Sequence, residues 1–143
     1  MKTIMKEMDY NGSGKTEILY VETDGDFALA VLNIRGSHPC AYIQFPEIEK
    51  IESCDNTWFR NGEDPDDWFD VHGGFTFLGT MKLNGLDGLW LGWDYAHSGD
   101  YSEWGLHDMG FDEKKWTTEE IVKEAREAIE RVKKGQLRIE HDD

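Results

Sequence analysis

The chain has 143 residues and a formal net charge of -15, from 30 acidic against 15 basic side chains; six are Trp, five Tyr and seven Phe. This length is that of one domain, and the aromatic residues supply enough apolar area for one core. The charge argues against direct binding of DNA or RNA, which depends on basic residues that neutralise phosphates. We therefore expect a single domain over residues 1–143, with residues 1–15 and 138–143 as candidate flexible ends.

The cysteines and the amino terminus bear on cellular location. Cys40 and Cys54 have no paired spacing, and no apolar run at the amino terminus resembles a signal peptide or a membrane span. The sequence therefore predicts a protein of the reducing cytoplasm with free thiols and no membrane partner.

Three strand patterns occupy the first third of the chain. Residues 16–23, TEILYVET, are rich in β-branched and aromatic side chains, and the turn signal Asp24-Gly25 follows them. FALAVLNIR, residues 27–35, is the predicted partner strand of a hairpin. After a break at residues 36–39, CAYIQF at residues 40–45 is predicted to be a third strand.

Residues 46–67 are polar and are predicted to form a long loop. Long loops in compact domains are often functional. This loop contains an acidic cluster around Pro65, formed by Glu63, Asp64, Asp66 and Asp67. The cluster is a candidate surface for a basic partner, although a solvated acidic surface is the simpler interpretation.

A second hairpin is predicted after this loop. FDVHGGFTFLGTM, residues 69–81, has strand character, and the turn signals Asn84-Gly85 and Asp87-Gly88 come before LWLGWDYA, residues 89–96. This pattern predicts that residues 71–78 lie alongside residues 89–95.

The clearest pattern is a carboxyl-terminal helix over residues 117–134. Thr117 and Glu120 form a capping box, and Gly135 stands where a helix C-cap belongs. One apolar stripe contains Ile121, Val122, Ala125, Ala128, Ile129 and Val132. The predicted fold is α+β: an antiparallel sheet of about five or six strands with this long helix packed on one face.

Two motifs invite functional interpretations that the sequence does not support. GSGKT, residues 12–16, resembles part of a phosphate-binding loop, but the required first glycine is replaced by Asp9, and no apolar strand precedes it. The HGG run at residues 72–74 could supply oxyanion-hole amides, yet the chain has no G-x-S-x-G nucleophile motif. We expect a turn at the first motif and a bulge or close backbone approach at the second.

A cluster of histidines and aspartates is the main candidate site. Its members are Asp70, His72, Asp94, His97 and Asp100. Asp70 and His72 share one face of a strand, and Asp94 to Asp100 follows the neighbouring strand into its exit loop. His72, His97 and Asp100 could hold zinc, manganese or iron. The same groups could instead bind a small molecule, or hydrogen-bond to each other and to loop amides without any metal.

Aromatic residues surround this cluster. Alternation along a strand places Trp93 and Tyr95 on one face and Asp94 on the other. The rings predicted to lie on exit loops, and therefore free to stack on a ligand ring, are Trp68, Tyr101 and Trp104. Few basic residues lie nearby, which argues against a phosphate-rich ligand.

Several segments resemble a family of small proteins widespread in bacteriophages, prophages and actinobacteria. They are HP-C-x-Y at residues 38–42, DVHGGFTF at residues 70–77 and LWLGWDYAHSGD at residues 89–100, with Trp116-Thr117 before the terminal helix. The family is typified by VHGG-[LI]-T and WW-[IF]-GFD-C-AH-AGD segments. Trp93 and Tyr95 stand where Phe and Cys are common, and Ser98 where Ala is common. The resemblance implies a phage-type accessory protein and names no reaction.

These observations predict a non-enzymatic accessory or counter-defence protein in the host cytoplasm, binding a host protein or sequestering a small, nucleotide-like signal molecule. Its predicted binding surface combines residues 61–70 with His72, Asp94, His97 and Asp100. The binding protein needs no cofactor, and a homodimer is compatible with it. The alternative is a metal-dependent hydrolase, in which His72, His97 and Asp100 hold a divalent metal and Asp94 or Asp70 is the general base.

Overall fold

A computed structural model describes residues 5–46, 48, 76–83, 85–96, 100–102 and 113–133. These residues form one antiparallel sheet and one helix. The strands are β1 (Glu17–Asp24), β2 (Phe27–Ile34), β3 (His38–Gln44), β4 (Phe77–Leu83) and β5 (Leu86–Asp94), and the helix is α1 (Thr118–Lys133). The strand order is β1-β2-β3-β5-β4, and α1 contacts β1, β2 and β3. The predicted α+β fold is confirmed.

Helix α1 begins with the predicted capping box. The Glu120 N–H donates to Thr117 Oγ1 at 3.2 Å, and the Thr117 N–H donates to Glu120 Oε1 at 3.0 Å. Each side chain thus satisfies a backbone donor that the first turn would otherwise leave unpaired. The predicted stripe faces the sheet: its first five members are buried and Val132 is partly buried against them.

Both faces of the sheet are buried. The cluster on the helix side includes Leu29, Val31, Ile43, Leu91 and Trp93. The cluster on the opposite side includes Ala30, Leu32, Cys40, Tyr42 and Trp90. Burial on two sides explains why β2 and β3 are almost continuously apolar instead of alternating with polar residues.

The hairpin of β4 and β5 agrees with the prediction where residues 77–78 lie alongside residues 91–92, but it continues further toward its turn than predicted. The pairs run from Phe77 with Gly92 to Leu83 with Leu86. Gly85 lies in the connection between the strands and has a φ of +84°. Short hairpin turns require residues with positive φ, and glycine adopts such angles readily. The second turn signal, Asp87-Gly88, therefore falls within β5. Residues 71–75 of the predicted strand lie outside the described residues.

An amino-terminal segment lies against β1, against the β2–β3 turn and against the start of α1, where Thr118 Oγ1 donates to the Lys6 carbonyl at 2.7 Å. The Lys6 N–H donates to the Leu19 carbonyl at 2.9 Å, and Tyr10 Oη donates to the Trp116 carbonyl at 2.9 Å. Gly36, with φ of +74°, permits the close approach: a Cβ atom there would lie 2.2 Å from Asn11 Oδ1. Within the described ranges, no helix is long and apolar enough to cross a membrane.

Candidate functional site

Three of the predicted site residues belong to the described part of the chain: Asp94, Asp100 and Tyr101. The remaining predicted residues lie outside it. They are Glu63, Asp64, Asp66, Asp67, Trp68, Asp70, His72, His97 and Trp104. The site is therefore built from the surroundings of the three described residues.

Asp94 borders a pocket of about 260 Å³ on the sheet face opposite α1. We call this cavity the Asp94 pocket. It lies where β3 begins, β5 ends and the chain enters β4. Its lining residues are His38, Cys40, Tyr42, Thr76, Phe77, Trp93 and Asp94. The antiparallel pairing of β3 with β5 sets Cys40 opposite Asp94, so these two residues lie side by side in the pocket lining.

The carboxylate of Asp94 is held by hydrogen bonds to both of its oxygens. Thr76 Oγ1 donates to Asp94 Oδ2 at 3.1 Å, and the Ala96 N–H donates to Asp94 Oδ1 at 3.1 Å. The second contact resembles an Asx turn at the end of the strand. These two donors fix the orientation of an acceptor group at the edge of the pocket, and Asp94 remains partly exposed to solvent.

An aromatic corner forms the apolar side of the Asp94 pocket. The rings of Tyr42 and Phe77 meet edge to face, with centroids 5.4 Å apart and an interplanar angle of 88°. Gly92 pairs with Tyr42 on β3 and with Phe77 on β4. Because Gly92 has no side chain, the Tyr42 ring lies directly over the β5 backbone.

The thiol and the phenol in the pocket are both kept protonated. Burial, and then the negative charge of Asp94, raise the pKa of Cys40 to about 12. Burial, followed by the neighbouring Cys40 and Asp94, raises the pKa of Tyr42 above its usual range. A reactive cysteine needs the opposite, a lowered pKa in electropositive surroundings. Cys40 is therefore a neutral thiol at physiological pH.

Asp100 lies in different surroundings from Asp94. It is buried, with 6% of its surface exposed, and its Oδ1 accepts a hydrogen bond from Trp116 Nε1 at 2.8 Å. Trp116 packs against the cluster on the helix side of the sheet. The structure thus places Asp94 and Asp100 toward opposite sides of the sheet.

Tyr101, the third described residue, is partly buried beside Asp100. Its ring meets Tyr10 edge to face at 5.0 Å, and Lys115 Nζ lies 4.6 Å from the ring centroid. The Tyr101 N–H donates to the Lys114 carbonyl at 2.9 Å. These contacts connect the chain after β5 to the segment that precedes α1.

A second polar network crosses the helix side of the sheet. The buried Tyr95 hydroxyl accepts from Trp93 Nε1 at 2.9 Å and donates to Glu124 Oε1 on α1. Burial, and then the Glu124 carboxylate, raise the pKa of Tyr95. Trp93 and Tyr95 share this face while Asp94 points to the other, as strand alternation predicts.

The GSGKT segment does not present its amides to a phosphate. The Gly12 N–H donates to the Gly36 carbonyl, and the Gly14 N–H donates to the Arg35 carbonyl, both at 2.9 Å. A phosphate-binding loop directs such N–H groups at its ligand. Here they hold the segment against the β2–β3 turn.

The described residues form no cluster that could hold a metal ion. Among them, no three histidine, cysteine, aspartate or glutamate side chains are placed to share an ion. Two members of the predicted metal trio, His72 and His97, lie outside the described ranges, so that trio stays a prediction.

Most residues that line the Asp94 pocket were not among the predicted site residues. Asp94 was predicted, whereas Cys40, Tyr42, Thr76 and Phe77 were not. No local sequence signal identifies them, because they come together through the pairing of β3 with β5, which are distant in sequence. Comparisons with protein-family models, with curated proteins and with solved structures give no match.

Proposed function

We propose that this chain is a non-enzymatic binding protein of the phage accessory or counter-defence type, acting in the host cytoplasm. In this proposal it sequesters a small nucleotide-like molecule in the Asp94 pocket. The supporting observation is a carboxylate fixed by Thr76 and Ala96 beside the aromatic corner of Tyr42 and Phe77. Ligand sites commonly pair a few fixed polar groups with apolar walls in this way.

The chemistry of the pocket favours a ring that carries N–H groups. A carboxylate accepts hydrogen bonds and donates none, so it selects donors such as the amino and imino groups of a nucleobase. The aromatic corner supplies apolar contact for a planar ring. A volume of about 260 Å³ lies just below the range of about 300 to 1,000 Å³ for drug-sized ligands. It suits one ring system better than a whole nucleotide.

The charge of the chain limits the rest of the ligand. Among the described residues that line the Asp94 pocket there is no lysine or arginine, and the chain as a whole carries -15. A phosphate group near Asp94 would be repelled. The ligand is therefore expected to place its base in the pocket and to direct any phosphate away from the protein.

Two features favour binding over catalysis at this site. Cys40 is a buried, protonated thiol, so it is a poor nucleophile. In the alternative, a metal-dependent hydrolase, Asp100 would be a ligand, but its carboxylate accepts a hydrogen bond from Trp116 on the helix side of the sheet.

Binding and hydrolysis are separated by following the fate of the ligand. Purified protein is equilibrated with nucleobases, nucleosides and nucleotides, each with and without Zn²⁺ or Mn²⁺, and the ligand is recovered after denaturation. Sequestration predicts stoichiometric recovery of unchanged ligand, with bases and nucleosides bound more tightly than nucleotides. Metal-dependent conversion to product would contradict the proposal, as would a lack of binding across the whole set.

A further inference from the structure

The two edge strands of the sheet differ in their protection. At β1, the register shifts between Ile18 and Tyr20, which is a β-bulge, and the Lys6 N–H donates to the Leu19 carbonyl. Bulges and covering segments are the usual means of blocking strand addition at an edge. Glu17, Glu22 and Asp24 also give β1 three acidic residues.

Among the described residues, no segment is hydrogen-bonded along strand β4 on the side away from β5. The sequence of β4, FLGTMKL, contains no proline and no acid, and Lys82 is its only charge. Its register with β5 runs without a shift from the Phe77–Gly92 pair to the Leu83–Leu86 pair. A regular and nearly uncharged edge of this kind is a template for pairing with another strand.

The direction of the β4 backbone groups follows from one hydrogen bond. The Tyr95 N–H donates to the Pro39 carbonyl, so alternate β5 residues from Tyr95 back to Leu91 direct their backbone groups at β3. The intervening residues, Trp90 and Gly92, direct theirs at β4. Their partners on β4, Gly79 and Phe77, therefore direct their backbone N–H and C=O groups inward, toward β5.

The alternate β4 residues point their backbone groups outward, away from β5. These are Leu78, Thr80 and Lys82. Thr80 and Lys82 are exposed and Leu78 is partly buried. Among the strands that the structure describes, β4 has β5 as its sole neighbour. Within the described part of the chain, the outward N–H and C=O groups of these three residues thus form an edge with no strand beside it.

We propose that this edge pairs with the β4 strand of a second copy of the chain, about a two-fold axis at Thr80. Antiparallel pairing of a strand with itself is self-complementary, so both copies use the same surface. Thr80 then lies opposite Thr80 of the partner subunit, and Leu78 opposite Lys82 of the partner subunit. The two sheets join into one.

The charges and the blocked β1 edge favour this occupant. Pairing through β4 brings no carboxylate of that strand to the contact, whereas β1 carries Glu17, Glu22 and Asp24, which are held in ion pairs with Lys6, Arg126 and Lys133 of the same chain. Head-to-tail pairing of β4 with β1 would propagate into a filament, and the bulge at β1 opposes it. A contact of one strand per subunit is smaller than the standard interface of about 1,600 Å², so we expect a dissociation constant on the order of 10 µM.

Sedimentation equilibrium over roughly 1 to 500 µM, a range that brackets this affinity, tests the dimer. Thr80→Pro removes one outward N–H without removing a hydrogen bond to β5, and proline is tolerated on edge strands. Thr80→Val is the matched control, because it keeps the N–H and the β-branched shape. Thr80→Lys is a second disrupting variant that places like charges across the axis.

The wild-type protein and Thr80→Val are expected to dimerise, and Thr80→Pro and Thr80→Lys to raise the dissociation constant at least about tenfold through lost backbone hydrogen bonds or charge repulsion. Circular dichroism checks that each variant is folded. A wild-type protein that is monomeric throughout the range would overturn the proposal. Dimerisation of folded Thr80→Lys with unchanged affinity would overturn it equally.

Discussion

Gly92 lies beneath the ring of Tyr42, so close that a Cβ atom on residue 92 would be 2.4 Å from Tyr42 Cδ2. Glycine in the middle of a strand is otherwise unfavourable, because it loses more conformational freedom and packs no side chain. Here it allows the tyrosine ring to cross β5 and meet Phe77. The aromatic corner of the Asp94 pocket depends on this absence of a side chain.

Gly92→Ala should therefore destabilise the protein by about 1–3 kcal/mol, the usual cost of overpacking. Urea unfolding of the wild type and the variant measures this difference. The matched test is Gly92→Ala in a Tyr42→Ala background, where the ring is absent and the penalty should shrink. An equal penalty in both backgrounds would show that the ring is not the cause.

Asp100 should contribute to stability through Trp116. Asp100→Ala leaves the indole N–H of Trp116 without this acceptor, and a lost buried partner costs about 1–3 kcal/mol. Trp116→Phe removes the same hydrogen bond from the other side. If the bond is what matters, the two changes should be less than additive in a double-mutant cycle of unfolding free energies. Strict additivity would contradict a shared interaction.

Alkaline pH should destabilise the fold. Burial raises the pKa of Cys40 from 9.0 to about 12, and it raises that of Tyr42 above its usual 10.0. The unfolded chain then loses these protons at lower pH than the folded chain does. Stability from this source is constant below about pH 9 and falls as the pH rises further, by up to about 1.4 kcal/mol per pH unit for each group.

Urea unfolding between pH 8 and pH 11, which spans the ordinary pKa values of both groups, measures this loss. Tyr42→Phe removes one titrating group, so its stability should fall less steeply with pH than that of the wild type. A wild-type stability that does not change up to pH 11 would refute the assignment.

The parts of the fold that were predicted from sequence depend on local patterns. Thr117 and Glu120 are three residues apart, and their capping box identifies the start of α1 from neighbouring residues alone. Strand alternation likewise predicted that Trp93 and Tyr95 share a face that excludes Asp94.

The Asp94 pocket could not be predicted in the same way, because its walls come from distant parts of the chain. Cys40 and Asp94 are paired neighbours in the sheet but are far apart in sequence. Nothing in the local pattern of either strand shows that β5, and not β4, lies beside β3. The charged pairs between α1 and β1 are non-local in the same sense: Arg126 Nη2 lies 2.8 Å from Glu22 Oε1.

Sequestration in the Asp94 pocket requires the Asp94 carboxylate to receive the ligand, which a calorimetric titration of nucleobases into wild-type protein, Asp94→Asn and Asp87→Asn tests. Asp87 is the matched control: it lies on the same strand, is exposed and is not among the lining residues, and its substitution changes the charge equally. Asp94→Asn is expected to weaken binding by about tenfold or more, as for a lost hydrogen bond to a charged group, while Asp87→Asn is expected to bind like the wild type. Equal affinity of Asp94→Asn and the wild type would contradict sequestration in the Asp94 pocket.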